Sequence, residues 1–116
     1  MQFEQDNIYG YLRPNNCLKL AKSVFKDRLG IPINNVSFQC NEKGNSLVVS
    51  SDKFHLYSGS ILERGVQFGG FMSGSKEEIV KTLNEISIIL KYVKIESEFE
   101  IYDENHNCIA TVTSNS

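Results

Sequence analysis

The chain has 116 residues, a length that holds one domain, 1–116, because two independent cores rarely fit in it. Twelve Lys and Arg against fourteen Asp and Glu leave a net charge of −2, which disfavours a dedicated nucleic-acid binder with a basic face. A hydrophobic content of 41% supplies a core and argues against intrinsic disorder.

The first residues, Met1-Gln2-Phe3-Glu4-Gln5-Asp6, are polar and acidic where a secretory signal needs positive charge followed by an apolar run. A first strand is expected within residues 3–12, around Ile8, Tyr9, Tyr11 and Leu12, as an edge strand or a loose arm. Asn15 or Asn16 then offers a helix cap, and Leu18, Ala21, Val24, Phe25 and Leu29 recur at helical spacing. This predicts a helix over about 16–29, stopped by Gly30 and Pro32.

The period then changes to two. Val36, Phe38 and Cys40 alternate with polar residues, and a turn at 41–45 leads to Leu47-Val48-Val49. Lys53 to Tyr57 and Val66 to Met72 follow, so the spacing predicts an antiparallel meander. Ser75-Lys76-Glu77-Glu78 is a capping box that opens a second helix, about 75–91, with Ile79, Leu83, Ile86 and Leu90 on one stripe. Its most apolar stretch, 86–90, is far shorter than the roughly 18–20 residues that span a bilayer, so no membrane is expected and the cytoplasm is the expected compartment. From Val93 to Tyr102 apolar and polar residues alternate strictly, a turn at 103–107 follows, Cys108 to Thr113 form a last strand, and the tail 114–116 should be loose. The expected fold is α+β: an antiparallel sheet of about five to seven strands with two helices on one face.

Candidate chemistry is sparse. Gly69-Gly70-Phe71-Met72-Ser73-Gly74-Ser75-Lys76 has the glycine spacing of a phosphate loop, but Lys76 comes one position late and Glu77 takes the place of the magnesium-binding hydroxyl. A bulged or bent strand followed by a helix cap explains the same residues. His55 and His106 lack the paired spacing of metal ligands, and Cys17, Cys40 and Cys108 form no C-x-x-C, which reads as three small buried thiols. No metal and no cofactor is expected. A small enzyme with a Cys/His site is the reading in which one of these thiols meets His55 in space.

Charge is segregated along the chain. Residues 1–30 carry five basic and three acidic residues, 31–70 three of each, and 71–116 four basic and eight acidic. Glu96, Glu98 and Glu100 alternate on one predicted strand, project from one face about 7 Å apart, and are continued by Asp103 and Glu104 in the turn. A solvated face, or an edge strand protected from aggregation, accounts for such a row. So does a docking surface for a basic partner, with Tyr102 and Asp103 as anchors.

In profile the chain resembles bacterial immunity proteins, which neutralise contact-dependent or polymorphic toxins. It is a small acidic α+β domain, rich in Asn and Ser, without an evident catalytic set. The resemblance implies a non-enzymatic protein-binding module that occludes a toxin domain, nucleases with basic clefts among them. It is also similar to small acidic type III secretion chaperones, in which a helix, three strands, a second helix and a strand pair follow in order. Leu18 to Ile31, Val36-Ser37-Phe38 and Leu47-Val48-Val49 carry that similarity, which implies a secreted effector as partner.

Overall fold

A computed structural model of the chain describes residues 5–27, 35–41 and 44–114. Strand β1 (Gln5–Arg13) is followed by helix α1 (Leu18–Asp27) and four strands, β2 (Asn35–Asn41), β3 (Gly44–Ser50), β4 (Phe54–Ile61) and β5 (Val66–Ser73). Helix α2 (Lys76–Tyr92) then leads to β6 (Glu96–Tyr102) and β7 (Cys108–Thr113). The seven described strands form one antiparallel sheet in the order β2-β3-β4-β5-β1-β6-β7. The fold is α+β, as the patterning predicts, although four strands separate the helices where the chaperone arrangement has three.

The period-two pattern gives the sheet one apolar face. Leu47, Val49, Phe54, Leu56, Val66, Phe68, Met72, Ile8, Leu12, Phe99, Ile101 and Val112 point into a single buried cluster. Both helices cover that face. α1 lies over β2 and β3 and contributes Leu18, Ala21, Val24 and Phe25, while α2 lies over β6 and β7 and contributes Ile79, Leu83, Ile86 and Leu90. At roughly 25 cal/mol per Å² of apolar surface removed from water, this burial is the main force holding helices to sheet. The capping box at α2 forms as expected: the Glu78 backbone N–H donates to Ser75 Oγ, and the Ser75 N–H donates to the Glu78 carboxylate.

Four local expectations change. Residues 5–13 are neither an edge strand nor an arm. β1 sits between β5 and β6, pairing Ile8 with Gly70 on one side and with Ile101 on the other. Val93 to Ile95 form the cap and turn that close α2, not the start of the following strand. The Ile95 N–H donates to the Leu90 carbonyl and the Lys94 N–H to that of Lys91, closing the helix around Lys94 at φ 63°. The tail is tied down at Ser114, whose N–H donates to the Ser97 carbonyl and whose Oγ accepts from the Ser97 N–H. Ser97 Oγ in turn donates to Ser87 Oγ, so hydrogen bonds through Ser97 link the three buried serines.

The fourth concerns the glycine-rich segment. The irregularity lies on β4, where the steps from Ser58 to Ile61 face only Phe68 to Val66 on β5. Gly70 itself stays paired but has φ 150°, and a Cβ there would collide with the His55 carbonyl oxygen on β4. The expected helix stop at Gly30 and Pro32, and the residues 42–43 and 115–116, lie outside the described residues.

Two substitutions test this geometry. Gly70→Ala should destabilise the fold by about 3 kcal/mol, from backbone collision at a conformation hostile to L side chains. Lys94→Gly should stabilise it by about 0.5–1 kcal/mol, because glycine adopts the left-handed conformation without a Cβ penalty. Shifts of the urea midpoint at unchanged slope would check both.

Candidate functional site

The uncovered face of the sheet collects the other half of each alternation. One row across the strands reads Tyr57 on β4, Gly69 on β5, Tyr9 on β1, Glu100 on β6 and Thr111 on β7. The neighbouring row toward the β5 C-terminus reads His55, Phe71, Asn7 and Tyr102, and the row on the other side reads Gln67, Tyr11, Glu98 and Thr113. Aromatic rings therefore gather on a surface that neither described helix covers. Tyr9 is 55% exposed, Tyr57 45% and Phe71 37%.

The rings fall in two groups. His55 stacks on Phe71 with centroids 5.6 Å apart and lies 5.8 Å from Tyr57, while its Nδ1 is 2.8 Å from Ser50 Oγ. Tyr9 meets Tyr102 edge to face at 5.3 Å. Between the groups lies Gly69, which presents no side chain. The Tyr57 ring leans over it, 3.4 Å from where a Cβ would stand. A groove of about 510 Å³ results, lined by Tyr9, Tyr11, Tyr57, Gly69, Glu98 and Glu100.

Glu96, Glu98 and Glu100 do share this face, as their spacing predicts. β6 is an interior strand between β1 and β7, so protection of an exposed edge does not explain them. Their mutual repulsion is relieved from β1. Arg13 Nε donates to Glu96 at 3.1 Å and its Nη2 to Glu98 at 3.3 Å, with the guanidinium 5.6 Å from the Tyr11 ring centroid. Glu100 accepts instead from the Tyr102 hydroxyl at 2.7 Å, and the neighbouring carboxylate raises the phenol above its ordinary pKa. Arg13, Tyr9, Tyr11, Tyr57 and Phe71 are contributors that no sequence motif marks. Alternation in residues 5–13 alone could have placed three of them together.

Asp103 and Glu104 stand apart from the groove. Asp103 Oδ1 accepts from the Asn105 and Asn107 N–H groups and so organises the β6–β7 turn, while Glu104 is exposed in it. His106 adopts φ 63° in the same turn.

The two described thiols, Cys17 and Cys108, separate from one another and from His55. Cys17 is buried at the start of α1 on the helical side of the sheet. Cys108 is exposed, contrary to the reading of three buried thiols, because it opens edge strand β7 where the pairing with β6 slips by one residue. It lies four strands from His55 in the same row, about 19 Å away. The side chain of Cys40 lies outside the described residues.

A second depression, about 350 Å³, lies between β4, β5 and the first half of α2. Lys53 and Lys81 interleave with Glu78 and Glu85 around it, Lys53 reaching Glu78 at 3.9 Å, so it has no single sign of charge. Among the described residues, no group of three or more His, Cys, Asp or Glu is placed to hold a metal, and no buried side-chain nitrogen or oxygen lacks a hydrogen-bond partner. No described helix is long and apolar enough to cross a membrane. Compared with protein-family models and with curated proteins, the chain matches none.

The thiols yield a measurable contrast. Burial pushes Cys17 from an ordinary 9.0 up to about 11. In a Cys40→Ser background at pH 8, iodoacetamide should modify Cys108 promptly and Cys17 about a hundredfold more slowly, by peptide mass mapping. The proton that Cys17 keeps in the folded state is lost first from the unfolded chain, so its contribution makes stability fall as pH rises from 9 towards 11. That part of the fall should disappear in Cys17→Ala.

Proposed function

We propose that this protein is a non-enzymatic protein-binding module, an immunity protein that docks a toxin domain on its open sheet face and occludes it in the cytoplasm of the producing cell. The observation that carries the reading is the exposure of Tyr9, Tyr57 and Phe71 beside the Glu96–Glu98–Glu100 row, on the sheet face that neither described helix covers. A merely solvated face gains nothing from such rings, whereas aromatic side chains flanked by charge supply most of the energy of protein interfaces. Among the described residues the face is acidic on balance, three glutamates against Arg13, which would steer a basic partner such as a nuclease cleft.

The test uses the purified product of the neighbouring open reading frame, which this reading expects to be the toxin. The wild-type protein should form a 1:1 complex on size exclusion and suppress the toxin's activity. Tyr57→Asp combined with Phe71→Asp should weaken the complex at least tenfold by calorimetry. Ile88→Asp combined with Tyr92→Asp, on the exposed side of α2, should leave it intact. Absence of a complex, or one that the helix pair weakens and the sheet pair does not, would overturn the reading.

A further inference from the structure

We propose that the groove between Tyr9 and Tyr57 is a seat for an arginine side chain of the docked protein, with Glu100 as its counter-ion. The proposal rests on the reading of this face as a protein-docking surface and names the chemistry of its central contact.

The molecule already contains one such seat, filled by its own side chain. Arg13 lies against the Tyr11 ring and donates to Glu96 and Glu98, so a tyrosine from β1 and carboxylates from β6 together hold a guanidinium. Two residues along each strand the same pair recurs, since Tyr9 faces Glu100 as Tyr11 faces Glu98. In this second position no described residue supplies a cation. Arg13 is the one Lys or Arg among the described residues of the open face, and it is engaged with the first pair.

Space and orientation complete the second seat. Gly69 opposes Tyr9 on the side away from Glu100, and its missing side chain leaves the groove open between Tyr9 and Tyr57. The Tyr102 hydroxyl holds the Glu100 carboxylate through one oxygen, and a carboxylate so held retains acceptor positions for a further donor. A planar guanidinium can lie on a tyrosine ring while donating in its own plane to the carboxylate. The compact, strongly hydrated ammonium of lysine cannot do both as well. The seat therefore selects arginine over lysine.

A blocked peptide with one arginine between glycines, and its lysine counterpart, would be titrated into the ¹⁵N-labelled protein. The arginine peptide should give saturable shifts centred on Tyr9, Gly69 and Glu100, and the lysine peptide should bind at least fivefold more weakly. Glu100→Gln, which keeps an acceptor for Tyr102 while removing the charge, should abolish the arginine preference. Gly69→Leu should block the groove, with circular dichroism confirming the fold, and Glu104→Gln should change nothing. Equal binding of both peptides, shifts spread over all acidic residues, or an arginine preference surviving Glu100→Gln would overturn the seat. So would burial of this face in a homodimer seen by sedimentation. A toxin complex that is sensitive to Tyr57→Asp with Phe71→Asp but indifferent to Glu100→Gln would remove the seat and leave the docking reading standing.

Discussion

The sheet depends on the insertion of β1 into its middle. The meander β2–β5 and the hairpin β6–β7 touch through no strand pairing of their own. β1 joins them by accepting β5 on one edge and β6 on the other, antiparallel to both. An antiparallel strand with partners on both sides satisfies its backbone donors and acceptors within the sheet, which makes this interior position far more demanding than an edge. Ile8 and Leu12 project from it into the core. Residues 5–13 thus lie in the interior of the sheet, and β1 closes the sheet between the strands that the two helices cover.

The same strand organises the opposite surface. Because side chains alternate, burying Ile8 and Leu12 obliges Tyr9, Tyr11 and Arg13 to face outward. Their pairing with Glu100, Glu98 and Glu96 turns a row of like charges, which would cost stability alone, into a ladder partly neutralised by Arg13. The exposed ion pairs contribute little to stability, since pairs of this kind are generally worth about 0–1 kcal/mol. Their importance is positional. They occupy one end of the row and leave Glu100, Tyr9 and the gap over Gly69 open at the other.

Local patterning was legible wherever a period ran undisturbed. The Ile79–Leu90 stripe, the Ser75–Glu78 capping box and the alternation from Ser97 to Ile101 all describe interactions between residues near in sequence, and each forms as read. Reading failed where the deciding partner was remote. Lys94 closes α2 in a left-handed conformation that a glycine would have announced, and Ser114 is buried because Ser97 bonds it. Cys108 is exposed because a slip in pairing occurs at an edge strand. The acidic row was visible in the residues themselves, but the arginine that answers it stands more than eighty positions away.

Residue patterning alone was enough for the two helices, most of the strands, the α+β class and the common side of the three glutamates. Hydrophobic period and cap chemistry act over a few residues, and they decide those properties without reference to the rest of the chain. Only the tertiary structure decided that β1 lies between β5 and β6, because strand order depends on which backbones pair across long stretches of chain. That one choice brings Tyr9 and Arg13 to the glutamates and sets Tyr57 across Gly69 from Tyr9. A net charge of −2 spread over 116 residues reveals none of this. The geometry gathers charge and rings on one open face, because pairing strands fixes their outward side chains about 5 Å apart.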